Sequence, residues 1–265
     1  MMNSLNSTKD DVVSICAISM LAFMISDFLH EGVGHALTAL LTGTQTGVLS
    51  SVAWSSAVDS RLVAAGGTVV NLLAGCLFWV ALGSRKHATM QTRLFLLLSC
   101  AFNLFTGTGY FFFSGVTNFG DWAAVIADVQ PHWLWQTLLV VGGIVTYYGA
   151  ILIVGNGMVR YLGVPLTDHQ RFRRLTLVPY FSAVAISAAA GLLNPIGIQL
   201  LWQSALPATA GANSGLLWMR YYIRAVPPAQ QDLGIIKRSY GWIGTAVACG
   251  LLFIFVLGRG ITLHR

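Results

Sequence analysis

Phe28-Leu29-His30-Glu31-Gly32-Val33-Gly34-His35-Ala36-Leu37 places two imidazoles and a carboxylate inside an otherwise apolar run. The run extends from about residue 12 to residue 41, and as a helix it is about 45 Å long against roughly 30 Å of bilayer hydrocarbon. It reads as a membrane span that must tilt, bend or emerge, with the Gly32/Gly34 turn as the place to bend and Thr42-Gly43-Thr44 as the stop. A charged group at the bilayer centre costs roughly 2.5–3.5 kcal/mol, so Asp27, His30, Glu31 and His35 left unpaired would cost on the order of 10 kcal/mol. Protons, one another, water in a cavity or a metal ion could compensate them, and two His flanking a Glu are what a metal hydrolase uses.

The spacing departs from the familiar zinc-protease signature. That signature, H-E-x-x-H, stacks its two His one helical turn apart, whereas this stretch reads H-E-x-x-x-H. At about 100° per residue, His30 and His35 diverge by about 140° on an ideal helix. Asp27, Glu31 and His35 instead fall at four-residue intervals on one face. One inserted residue is what a π-bulge absorbs, and Gly32 and Gly34 make the turn easy to distort. A π-type widening or local break between Glu31 and His35 is therefore expected.

Composition agrees with a membrane protein: 55% of the 265 residues are hydrophobic and 9% charged. The net charge of +6 does not point to nucleic acid, because the basic residues fall between apolar runs and not along one amphipathic element. Cys16, Cys76, Cys100 and Cys249 lie within apolar runs without metal-type spacing and read as small core residues. The first run lacks a small-residue cleavage site and reads as a retained span.

Taken in order, the chain continues with a mixed stretch at about 48–60 that suits a short interfacial strand or hairpin. A second span at about 62–82 carries the small residues Ala64-Ala65-Gly66-Gly67 and one amide, Asn71. A third, at about 94–113, holds Asn103 and Gly107-Thr108-Gly109-Tyr110, which looks too glycine-rich for a smooth helix. Beyond it, Asp121 is the best remote carboxylate. Further spans are expected at about 133–154, 175–193 and 242–257. The stretch 196–222, broken by Pro207, Gly211 and Gly215, leaves the number of crossings at six or seven. Lys and Arg crowd into 83–93 and 157–174 but are absent from 116–132, which places the N-terminus in the cytoplasm. The expected fold is an all-α polytopic transmembrane helix bundle with an interfacial hairpin after the first span. No repeat or separate soluble domain is present, and residues 131–265 add helices to a core formed by 1–130.

Three stretches, in this order, resemble the site-2 protease family of intramembrane zinc metalloproteases. His30-Glu31-Gly32-Val33-Gly34-His35-Ala36-Leu37 resembles the family's H-E-x-G-H-A with one residue added. Ala65-Gly66-Gly67-Thr68-Val69-Val70-Asn71-Leu72-Leu73-Ala74 resembles its G-P-x-x-N-L-x-x-A helix, and Asn103-Leu104-Phe105 with Gly120-Asp121 resembles its N-x-x-P…D-G helix. Proline is absent where the family has it, and the gap from Asn103 to Asp121 is about ten residues longer than the family pattern. The resemblance implies a Zn2+ ion held by His30, His35 and Asp121, with Glu31 as general base. It also implies that Asn71 and Asn103 hold an unwound substrate backbone, and that a transmembrane protein is the substrate. On this reading Asp27 stands behind the ligands or on the access path. The setting is an integral protein of a bacterial cytoplasmic membrane.

Other readings stay open. A member of that fold that binds metal poorly would act as a membrane-embedded partner or regulator, and buried His and Glu also serve ion- or proton-coupled transporters. An aspartyl pair of Asp27 and Asp121 lacks the Gly-x-Gly-Asp motif, and no rhomboid Gly-x-Ser-Gly is present. His87, His132, His169 and His264 read as solvated loop residues. The Trp residues read as an aromatic belt at the span ends.

Overall fold

The computed structural model describes residues 9–43, 47–56, 60–85, 88–164, 167–194, 199, 202, 206–223 and 234–263. The first helix, α1 (Val12–Phe28), begins at Asp11, whose side chain accepts from the Ser14 amide. It runs into a π turn, Leu29–Leu37, and ends in α2 (Thr38–Leu41). Strands β1 (Gly47–Leu49) and β2 (Trp54–Ser56) follow as the expected hairpin. Then come α3 (Arg61–Ser84), α4 (Met90–Thr117), the short α5 (Asp121–Ile126), α6 (His132–Leu162) and α7 (His169–Gly191). The last helix, α8 (Tyr240–Leu252), continues as a π turn to Leu257, and β3 (Ile261–Leu263) closes the described chain. Among the described residues six helical stretches are long and apolar enough to cross a membrane. The protein is an all-α polytopic bundle with one small sheet.

Helix α4 is the centre of the bundle. It buries most of its apolar window, while that of the last helix is mostly exposed. Phe102, Phe105, Leu97 and Leu98 of α4 are fully buried against α1, α3 and α6. Gly107-Thr108-Gly109-Tyr110 lies within this unbroken helix, contrary to the sequence expectation. The glycines make room for neighbours: a Cβ on Gly107 would meet Leu72 of α3, and one on Gly109 would meet Ala212. The cysteines also differ from expectation, since only Cys100 is buried and Cys76 is exposed. The sheet is antiparallel in the order β2-β1-β3, with Val48 opposite Ser55 on one side and Thr262 on the other. The partner strand from beyond the last span was not legible in the sequence.

The direction of the helices settles the stretch before α8. Asp10, Arg171 at the start of α7 and the 234–239 segment meet at one end: Asp10 accepts from Arg171 Nε at 2.8 Å and from the Ile236 amide at 2.7 Å. Ser239 N–H donates to Ser14 Oγ there, and Arg238 pairs with Asp11. The far end of the last helix lies at the sheet, where Ser51 N–H donates to the Leu257 carbonyl. Helices α7 and α8 therefore run parallel, and the chain between them must return across the bundle. It does so as a broken descent of short turns, Pro207–Gly211, Ala212–Ser214, Gly215–Trp218 and Met219–Tyr221. Thr209 Oγ1 donates to Ser187 Oγ, Ala212 lies beside Gly109, and Ile223 packs on Gly155. Among the described residues, six helices and this broken segment run between the two ends of the bundle. Asn194 ends the preceding stretch, its amide donating to the Gly191 carbonyl, while His87 and His264 lie outside the described residues.

Cysteine scanning should show this parity. A thiol reagent that cannot cross the membrane should label Gly234→Cys and a cysteine at Lys9 from one side, and Thr262→Cys only from the other.

Candidate metal centre

The π turn does what the sequence demanded of it. Its i→i+5 bonding stacks residues five apart on one face, as an α-helix stacks residues four apart. His30 and His35 thereby converge, with Nε2 atoms 3.2 Å apart and ring centroids 4.7 Å apart. Close packing against α3 makes room for them: a side chain on Gly34 would strike the backbone of Gly66 and Gly67. At Gly67 a Cβ would stand 2.5 Å from His35 Nε2 and 2.7 Å from His30 Nε2, so only glycine leaves the ring nitrogens free. The small-residue face read from Ala64 to Gly67 thus serves the imidazoles as well as helix approach.

Asp121 supplies the third donor. Helix α4 ends at Asn118 in the left-handed conformation (φ 51°), and Gly120 follows at φ 84°. These two positions fold the chain back so that α5 begins with Asp121 over the imidazoles. Its Oδ2 lies 3.2 Å from His30 Nε2 and 3.4 Å from His35 Nε2. The long gap after Asn103 is therefore filled by the remainder of α4 and this turn. His132, expected to be solvated, braces it: Nε2 is 3.1 Å from Asn118 Oδ1 and Nδ1 is 3.3 Å from the Ile126 carbonyl.

The hydrogen bonds behind the imidazoles fix their tautomers. His35 Nδ1 faces the Val63 carbonyl at 2.7 Å, an acceptor only, so Nδ1 carries a proton and in the neutral ring Nε2 is a bare lone pair. For His30 the argument runs through two amides. Asn103 Nδ2 donates to the Ser99 carbonyl at 2.8 Å, which turns Asn103 Oδ1 towards Asn71. Asn71 Nδ2 then donates to Asn103 Oδ1 at 2.8 Å and to the Ser26 carbonyl at 3.1 Å. Its Oδ1 must accept from His30 Nδ1 at 2.6 Å, leaving His30 Nε2 bare as well. Both amides are fully buried and off the main cavity. Where the resemblance gives them substrate backbone to hold, the structure commits them to His30 and to backbone carbonyls.

Two imidazole lone pairs and a carboxylate oxygen thus point at one another, and among the described residues Asp121 Oδ2 is buried without a hydrogen-bond donor. A proton could answer one of the lone pairs; a divalent cation answers all three. The triangle also has the right size. Donors about 2.0–2.1 Å from a tetrahedral zinc are about 3.3–3.4 Å apart, and the edges here are 3.2, 3.2 and 3.4 Å. The residues fit a zinc ion.

Glu31 stays outside the triangle. One oxygen, Oε2, accepts from the Trp54 amide of β2 at 2.6 Å, and among the described residues the side chain makes no other hydrogen bond. With His35 and Asp121 it lines a cavity of about 1200 Å3 between α3, α4, α5, α6 and the broken crossing. Asp27 is not a donor to the triangle. It faces a side cavity of about 20 Å3 with Ser26, Ser51 and Thr106. Tyr110, stacked on His30 at 4.8 Å, was not singled out in the sequence.

Comparison of the chain with protein-family models, curated protein sequences and solved structures found no match.

Metal analysis of detergent-purified protein tests the centre. Wild type should carry one zinc per chain, and His30→Ala, His35→Ala and Asp121→Ala should lose it. Gly67→Ala should lose it too, although it removes no ligand. Asn71→Leu should weaken zinc by about 10–100-fold, because the His30 tautomer is no longer fixed.

Proposed function

We propose that the protein is an intramembrane zinc endopeptidase of the kind its motifs resemble, acting on membrane-spanning peptide segments. One observation carries this: three lone-pair donors with zinc spacing meet inside a membrane bundle, beside a carboxylate that is not one of them. A zinc held by His30, His35 and Asp121 would supply Lewis-acid activation of a water and of the carbonyl it attacks.

The remaining steps belong to the chain. Glu31 is held by the Trp54 amide through one oxygen, and its other oxygen is available to take a proton from the attacking water and return it to the leaving amine. The cavity it lines exceeds the roughly 300–1,000 Å3 of small-molecule pockets. Its walls are largely aromatic and aliphatic, with Phe112, Phe113, Tyr148, Trp218 and Tyr222 among them, which suits an unwound apolar peptide better than a polar metabolite. Water exclusion by these walls strengthens the electrostatics of the site.

The orientation follows from the seven crossings. Arg85, Arg93, Arg160, Arg171, Arg173, Arg174, Lys237 and Arg238 lie towards the end marked by Asp10, whereas Arg61 and Arg259 lie at the other. The Asp10 end is cytoplasmic on this count, as the sequence alone suggested, and a bacterial cytoplasmic membrane is the setting we propose.

The test is a reconstituted preparation incubated with a panel of tagged single-span proteins. Glu31→Gln should keep its zinc and lose cleavage by at least about 100-fold. Zinc lost from Glu31→Gln but kept by His30→Ala would make Glu31 a ligand and overturn the assignment. Zinc-loaded wild type without Glu31-dependent cleavage would mark a non-catalytic membrane partner.

A further inference from the structure

Hydrolysis at such a centre places negative charge on the oxygen of the attacked carbonyl, and a preorganised donor beside the metal stabilises it. Several donors near the triangle are spent. Asn71 and Asn103 hold one another and His30, and the Trp54 amide holds Glu31. Tyr147 is turned away, donating to the Ala212 carbonyl at 2.5 Å and accepting from the Gly215 amide at 2.7 Å.

Tyr110 differs from all of these. Its ring lies nearly parallel to that of His30, with centroids 4.8 Å apart and an interplanar angle of 25°, and its far edge meets Phe113. Those contacts fix the ring against a metal ligand. Its hydroxyl makes no hydrogen bond among the described residues. Tyr110 also lines both the large cavity and the small one, as Glu31 does. The large cavity that Tyr110 lines is the one onto which His35, Asp121 and Glu31 open. A phenol with a fixed ring, no internal partner and an opening onto the cavity is a donor in reserve.

We propose that the Tyr110 hydroxyl donates a hydrogen bond to the carbonyl oxygen of the scissile peptide bond, making it a catalytic residue of this site. This rests on the endopeptidase reading. The phenol keeps its own proton, so no bond to Tyr110 forms or breaks. Its contribution grows as charge develops on the carbonyl oxygen, and it therefore falls on kcat more than on KM.

The experiment compares wild type, Tyr110→Phe and Glu31→Gln in detergent for zinc content, for affinity towards a peptide hydroxamate, and for cleavage of whichever single-span protein wild type cuts. Tyr110→Phe keeps the ring stack. It should retain one zinc per chain, lose about 100-fold in kcat at nearly constant KM, and bind the hydroxamate at least tenfold more weakly. Equal hydroxamate affinity in wild type and Tyr110→Phe overturns the proposal whether or not cleavage is detected. So does loss of zinc from Tyr110→Phe, which would make the phenol a support for the ligands. Zinc-loaded wild type that neither cleaves nor binds the hydroxamate overturns the endopeptidase reading and Tyr110's role with it. A Glu31→Gln loss beside an unchanged Tyr110→Phe overturns Tyr110 alone.

Discussion

Three lone pairs aimed at one point inside a membrane are the constraint on which the rest of the structure depends. Bare imidazole nitrogens and a carboxylate repel one another, and at bilayer depth no bulk water relieves them. Holding them together takes a helix wound one residue wider than normal, a glycine pair that lets α3 approach without touching the rings, and a left-handed turn that returns Asp121 to the site. Each device works against ordinary helix preference. Their coincidence at one place is what a bound cation would offset.

The same accounting of buried polar groups explains the broken crossing. Irregular backbone at membrane depth is tolerated where protein or a water-filled cavity satisfies it. Here Tyr147 serves the Ala212 carbonyl and the Gly215 amide, Tyr180 donates to the Ala210 carbonyl, and Asn213 donates to that of Thr209. The segment also forms one wall of the large cavity. A regular helix in its place would bring no such interruptions to the cavity side.

Much of this was legible in the sequence, for identifiable reasons. Six spans follow from long apolar runs, and the π turn follows from one surplus residue between two histidines flanked by glycines. Asp121 could be singled out because acidic residues are so scarce around it. What stayed hidden depends on long-range packing. Gly107 and Gly109 read as helix breakers because their neighbours, Leu72 and Ala212, are distant in sequence. The amides of Asn71 and Asn103 read as substrate contacts because only the structure reveals the chain of donors ending at the Ser99 carbonyl. Tyr110 carried no local signal, since its stacking on His30 joins separate helices. His132 read as solvated for the same reason.

The sheet gives the order in which the site can be completed. Glu31 is seated by the Trp54 amide on β2, β2 is held by β1, and β1 takes its other partner from β3, which follows the last described helix. During synthesis His30, His35 and Asp121, all within the first half of the sequence, are made early. The strand that closes the sheet behind Glu31 arrives only after the last helix has been made. His30, His35 and Asp121 can therefore gather before Glu31 is fully braced, and a chain stalled before its last helix would bring the three side chains together without a finished sheet behind the carboxylate.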